Sequence, residues 1–352
     1  MTLSETLKNI KGPDETAEKE ARGRWNSLAK PLGSLGALED AVVKIAGLRG
    51  SADVRLLKRT LLVFCADNGV VAQGVSQSGP EVTLAVTEAL GRGRSTVNFM
   101  AEAAGCRVVP VDVGVLSADA IPGVLDRKVR RGSADMTCGP AMSREECLRA
   151  VGTGIELVRE RKEAGDDILL LGEMGIGNTT SSCAVLSVLL GMPAKTLAGK
   201  GSGLSAEGLE RKIQAIGKAI RVNQPNPGDP LDVLAKVGGL DLAALAGAVL
   251  GGALFRLPIL LDGLITDAAA LAAARLCPKA KGVLLAGHLS GEPAARYALR
   301  QLGLAPFISC GMRLGEGSGA VAALPLLDQA LAVYTSGHTF GQLGIEAYKA
   351  IE

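Results

Sequence analysis

Six short β-branched or Leu-rich runs constrain this chain more than any other feature: Leu61 to Cys65, Val108 to Val113, Ile168 to Leu171, Pro258 to Leu261, Val283 to Leu285 and Pro306 to Ser309. A strand with one wet face alternates apolar and polar residues. Largely continuous apolar runs instead mark parallel strands covered on both faces, and longer helical patterns lie between these six. The pattern predicts an α/β fold, a parallel six-stranded sheet flanked by helices.

Helix signals agree with that layout. Ser143 with Glu146 makes a capping box ahead of Leu148, Val151, Ile155 and Val158, which share one face at helical spacing. Asn178 and Ser290 are further candidate N-caps. Leu242 to Phe255, stopped by Asp241 and Arg256, is too short for the ~20 apolar residues of a membrane span and reads as a buried Ala/Gly-rich helix. Gln224 to Pro230 reads as a loop between helices. Residues 1–50 and the stretch after about 330 hold helical patterns without strands. They are expected to form one small helical subdomain (1–50 with 330–352) beside a catalytic domain of residues 51–329.

Composition bounds the partners. With 38 basic and 36 acidic residues mixed along the chain, no long-range field draws it to nucleic acid or a membrane surface. Aromatic residues at 3% cannot build stacking platforms for single strands. The seven cysteines form no Cys-x-x-Cys pair, and the polar segment Met1 to Lys19 lacks the apolar core of a secretion signal. A reducing, cytoplasmic setting and small-molecule substrates are the expectation.

In open parallel sheets ligands bind beyond the carboxyl ends of the strands, so the turns after the six runs carry the functional information. They read Ala66-Asp67-Asn68-Gly69, Asp112-Val113-Gly114, Gly172-Glu173-Met174-Gly175-Ile176-Gly177-Asn178-Thr179-Thr180, Asp262-Gly263, Gly287-His288-Leu289-Ser290-Gly291-Glu292, and Gly311-Met312-Arg313-Leu314-Gly315-Glu316-Gly317-Ser318-Gly319. The third and sixth join Gly-rich backbone to a helix start, where free N–H groups and the helix dipole suit a phosphate or carboxylate. Any one such turn is explained by tight βα geometry alone. Two acid-bearing loops at equivalent ends of one sheet point to a site.

Several alternatives fail on spacing. A P-loop would need glycine where Ala194 stands before Lys200. Gly175-Ile176-Gly177 opens like a dinucleotide fingerprint, but no acid follows until Glu207, past the ~20-residue offset of the ribose ligand. A nicotinamide-dependent dehydrogenase is therefore disfavoured, and a mononucleotide fits better. His288 and His338 are the only histidines, which leaves no multi-imidazole metal centre, and no metal or cofactor is expected. Gly317-Ser318-Gly319 lacks the nucleophile-elbow pattern, because Glu316 stands two before Ser318. His288 reads as a positioning residue and His338 as a surface residue.

The segments Lys30 to Gly36, Gly172 to Thr180, Leu261 to Gly263, His288 to Pro293 and Gly311 to Gly319 together resemble the nicotinate-nucleotide:dimethylbenzimidazole phosphoribosyltransferase family, in order and over nearly the whole chain. The resemblance implies a homodimer of Rossmann-like subunits, each with a small domain built from both chain ends. It implies transfer of phosphoribose from nicotinate mononucleotide to an aromatic base such as dimethylbenzimidazole, as in cobalamin lower-ligand synthesis. It implies Glu316 as general base and Glu173 as the residue holding the ribose near the reacting carbon. Gly175, Ile176 and Gly177, with Lys212, would bind phosphate. Arg313 would lie beside base and nicotinate, and Asn178, Asp262, His288, Leu314 and Gly315 would complete the substrate contacts. Ser78 occupies the expected base-side position. Two positions depart from the family pattern: Asn68 where His is common, and Val86 where Gln is frequent, which makes the base pocket less polar. The rival from another class is a non-catalytic paralogue supporting an active partner subunit, in a paralogue heterodimer. Retention of both Glu173 and Glu316 argues against it.

Overall fold

Seven parallel strands form a single sheet in the computed structural model, which describes residues 2–348. Met1 and residues 349–352, at the extremes of the expected helical subdomain, lie outside the described residues. The strands are β1 (Arg59–Ala66), β2 (Arg107–Gly114), β3 (Leu125–Asp126), β4 (Ile168–Met174), β5 (Ile259–Leu261), β6 (Leu284–His288) and β7 (Pro306–Ile308), in spatial order β3-β2-β1-β4-β5-β6-β7. The order reverses between β1 and β4. Their crevice is the switch point where open sheets of this kind bind ligands.

The sheet thus has one strand more than the six apolar runs predicted. The addition, β3, is two exposed residues pairing Leu125 with Val111 and Asp126 with Asp112. An edge strand so short carries no hydrophobic pattern.

Alternate residues of each central strand enter different cores, which is why the runs are continuously apolar. Leu62, Phe64, Leu169, Leu171 and Leu261 pack on one face with the helices Arg144–Glu163, Leu240–Phe255 and Leu264–Leu276. Leu61, Val63, Cys65, Leu170 and Leu260 pack on the other with Ala37–Arg49 and Ser318–Ser336. Leu240–Phe255 is the buried small-residue helix expected from composition. A Cβ at Gly247 would overlap the carbonyl of Val151, and one at Gly154 the carbonyl of Ala244, so glycine lets these two helices touch backbone to backbone. The capping box at Ser143 and Glu146 is present. Val151 and Val158 are buried on that helix, whereas Leu148 is exposed.

Two expected caps differ. Gly177 in the left-handed conformation is the N-cap of Asn178–Leu190, so Asn178 is the first helical residue. Ser290 accepts only from the Glu292 amide in a turn, ahead of a helix that begins at Ala295.

The chain ends meet. The rings of Trp25 and Tyr334 lie 5.0 Å apart, Leu28 bridges to Thr339, and the Ala29 amide donates to the His338 carbonyl at 2.9 Å. Both rings also belong to the core on the β-sheet face. His338 itself is exposed. No helix among the described residues is long and apolar enough to cross a membrane.

Candidate functional site

A cavity of about 200 Å³ opens at the carboxyl ends of the strands. β4 carries Glu173 one residue before its end, β5 leads to Asp262, β6 ends in His288, and β7 leads through a loop to Arg313, Leu314, Gly315 and Glu316. All of these line the cavity, as do Gly175, Ile176, Gly177 and Asn178 at the start of the helix after β4, and Val86 on the helix Glu81–Gly91. Parallel strands align their carboxyl ends. That is how acids separated by more than 140 residues converge.

Two expected contacts lie elsewhere. Ser78 is absent from the lining, and Val75 and Ser76 form that wall. Lys212 is fully buried behind it, its ammonium donating to Thr179 Oγ1 at 2.9 Å and the Gly199 carbonyl at 3.0 Å. The cations that reach the cavity are Lys200 and Arg313, both exposed and without a side-chain partner among the described residues. Lys200 sits between Gly199 and Gly201 in a loop anchored by the buried Glu292, which accepts from the Gly201 amide at 2.9 Å. Thr179, from the Gly-rich turn after β4, also faces the cavity, as do Ser202 and Ile265, to which no sequence signal pointed.

The two Gly-rich helix starts differ in use. The one after β4 faces the cavity through Gly175 to Thr179. The one after β7 is closed internally: Asp262 Oδ2 accepts from the Gly317 amide at 3.2 Å, and its Oδ1 from Gly319 at 2.6 Å and Ala320 at 3.3 Å. The earlier turns are engaged likewise. Asp112 Oδ1 accepts from the amides of Gly114 and Val115, and Asp67 Oδ2 from that of Leu116. Asn68 is buried under the site, its side-chain oxygen accepting from Ser181 Oγ at 2.8 Å.

Electrostatically the floor is a cluster of carboxyls. Burial pushes Glu173 up to about 8, with the charges of Asp241, Asp262 and Glu316 adding to it and a hydrogen bond donated by Asn178 Nδ2 opposing. Burial also raises Asp262 to about 7, against its three amides, and Asp241 to about 6. Asn178 Nδ2 joins Glu173 to Asp241, reaching Asp241 Oδ2 at 3.1 Å. Asp241 was invisible as a site residue in the sequence, where it is only the acid that interrupts an apolar run. His288 is held below its usual range by burial, its Nε2 3.6 Å from Asp262 Oδ1. Glu316 is buried, with one weak contact, the Val97 amide at 3.4 Å from Oε2. Among the described residues no group of three or more His, Cys, Asp or Glu side chains is placed to hold a metal ion.

This arrangement suits a ligand with an anion at one end and an electron-poor centre at the other. The helix start and Lys200 favour the anion, and the carboxyls favour developing positive charge.

The chain is similar over nearly its whole length to known proteins. A phosphoribosyltransferase family model matches residues 10–345. A nicotinate-nucleotide–dimethylbenzimidazole phosphoribosyltransferase of Ruminiclostridium cellulolyticum is 45% identical over 352 residues, the whole of both chains. A protein of the same name from Escherichia coli is 42% identical over 336 residues, 95% of this chain and 94% of that one. The crystal structure of CobT from Thermus thermophilus superposes with a TM-score of 0.89 at 41% identity, covering 95% of this chain and 100% of that one.

Proposed function

As a member of the nicotinate-nucleotide–dimethylbenzimidazole phosphoribosyltransferase family, this chain is an enzyme, and we propose how its cavity transfers 5-phosphoribose from nicotinate mononucleotide to an aromatic base. The observation that carries the reading is the convergence of Glu173 and Glu316 on one cavity that also holds a Gly-rich helix start and Lys200.

The donor's nicotinate is a pyridinium, so cleavage of the C1′–N bond needs neither a proton on the leaving group nor a chelated pyrophosphate. Its phosphate lies at Gly175, Ile176 and Gly177, where glycine permits close approach and the dipole of the helix Asn178–Leu190 favours it. Lys200 supplies the charge there, and Lys212 supports the site from behind through Thr179 and the Gly199 carbonyl. As the bond lengthens, positive charge develops on the ribose, and Glu173 stabilises it. Burial keeps Glu173 protonated in the free protein near neutral pH. A cationic donor beside it lowers that value, and the proton leaves to solvent as the donor binds.

The incoming base lies between Val86 and the Arg313–Leu314 segment. An azole attacks through one ring nitrogen and loses the proton on the other. Glu316 accepts that proton, a contribution of about 10²- to 10⁴-fold. Attack opposite the leaving nicotinate inverts the anomeric carbon and gives an α-linked nucleotide, the α-ribazole phosphate of a cobalamin lower ligand when the base is dimethylbenzimidazole.

The same reading assigns a homodimer, a cytoplasmic setting and a small subdomain formed by residues 1–50 with 330–352. The test is nicotinate mononucleotide with and without dimethylbenzimidazole, followed by free nicotinate and product mass. Glu316→Gln should slow transfer by about 10²- to 10⁴-fold while nucleotide affinity stays within a few-fold of wild type. Turnover of the azole at near wild-type rate would remove Glu316 as the base.

A further inference from the structure

The loop that presents Glu316 is held in an unusual way. Gly315, Glu316 and Gly317 all have positive φ, at 85°, 60° and 90°. Glycine adopts the left-handed region freely, but glutamate does so only where its surroundings over-determine the backbone. The glutamate's own side chain does not supply that constraint, since its hydrogen-bond contact is the distant Val97 amide. Nor does the following helix, Ser318–Ser336, which starts at Gly317 without a side-chain cap of its own. Its first amide, that of Ser318, donates to the Gly315 carbonyl at 3.0 Å, but without Asp262 those of Gly319 and Ala320 would be buried without acceptors.

Asp262 provides what both features lack. It arrives from the end of β5, 55 residues before Gly317, and both its oxygens are engaged by amides of Gly317, Gly319 and Ala320. The nearest of these follows Glu316 directly. We infer that Asp262 is a positioning residue, a carboxylate cap that fixes the Gly315–Gly317 backbone and thereby aims the Glu316 carboxylate at the acceptor base. The inference rests on Glu316 as the base. It differs from the substrate contact that the resemblance implies for Asp262, because the oxygens that would meet substrate already serve the helix.

The two roles separate in kinetics. Asp262→Asn keeps one acceptor oxygen and loses the other, so the loop gains freedom while the cavity keeps its shape. A displacement of about 1 Å at a reacting group costs up to about 10²-fold, so kcat should fall about ten- to a hundredfold. The dissociation constant of nicotinate mononucleotide should stay within about twofold, because no ligand contact is lost. In a Glu316→Gln background, with residual transfer followed by product mass, Asp262→Asn should cost less than about twofold, since there is no base left to aim.

A tenfold or greater loss of nucleotide affinity with kcat unchanged would make Asp262 a substrate ligand and overturn the inference. So would costs of the two substitutions that multiply. Near wild-type turnover by Glu316→Gln alone would instead remove the base assignment beneath it, a separate outcome. Should Asp262→Asn fail to fold, hydrogen exchange on the wild-type protein still decides. Peptides covering residues 314–320 should be strongly protected at pH 8, and unprotected exchange there would overturn the clamp.

Discussion

Gly319→Ala tests the construction of the site at one methyl group. Gly319 is the second residue of the helix Ser318–Ser336, one turn past Glu316 and against the ring of His288. A Cβ there would lie 2.5 Å from His288 Cγ and closer still to Nε2 and Cδ2. That overlap is too deep to absorb locally. The imidazole cannot retreat freely either, since Asp262 Oδ1 is 3.6 Å from its Nε2 and a Cβ on Gly263 would stand 3.0 Å from that same nitrogen. Either the ring swings into the cavity it lines, or the helix start moves and carries Glu316 with it. Overpacking of this kind costs about 1–3 kcal/mol. Replacing glycine by alanine in a helix returns up to about 1 kcal/mol. The net is a loss of up to about 3 kcal/mol, read as a lower urea midpoint. Activity should suffer more, with kcat/KM down about ten- to a hundredfold, because reacting groups tolerate less displacement than a fold does. Gly152→Ala is the control: it sits exposed on the helix Arg144–Glu163 with nothing within 4 Å of a new Cβ. That substitution should stabilise by about 0.5–1 kcal/mol and leave kinetics alone. Wild-type kcat/KM and urea midpoint in Gly319→Ala would refute the packing argument.

Glu173 and Asp262 hold their protons to about 8 and about 7 in the fold, against ordinary values of 4.5 and 3.8. Raised carboxyl pKa values stabilise the folded state most at low pH, and that contribution is lost as pH rises through the folded values. Setting acid effects elsewhere aside, the thermal midpoint should fall between pH 6 and about 8.5, and Glu173→Gln should flatten that fall; a wild-type midpoint constant across this window would contradict the burial argument. At the base pocket, an unpaired ring nitrogen costs roughly 1 to 3 kcal/mol, so wild type should favour dimethylbenzimidazole over adenine by about ten- to a hundredfold in direct competition. Val86→Gln should narrow that ratio, and adenine winning in the wild type, or an unchanged ratio in the variant, would remove Val86 as the determinant. Transfer should survive thorough chelation, and loss of activity with EDTA that magnesium restores would point to a pyrophosphate-bearing donor instead.

How the sequence and the tertiary structure divide the determination of this protein follows from the range of the interactions involved. Six strands were legible because burial on both faces writes a local signature, as in Leu61 to Cys65 and Ile168 to Leu171. β3 was not, since two exposed residues pair with β2 through backbone groups that every residue carries. The turns after the strands marked where ligands go, because parallel strands align their carboxyl ends whatever their order in the chain. Motif order over nearly the whole length pointed to the family. Which acid does what was a different matter. Asp67 and Asp262 follow strands, and Asp112 and Glu173 stand near the ends of theirs, yet the three aspartates give oxygens to backbone amides, and for Asp67 and Asp262 those amides belong to segments distant in sequence. Lys212 and Lys200 are both cations near glycines, and the path of one loop determines that the first is walled off and the second faces the cavity. The high pKa of Glu173 likewise belongs to no local pattern. It arises where burial joins the charges of Asp241, Asp262 and Glu316 from three other segments, because desolvation and Coulomb interaction depend on distance in space and not along the chain.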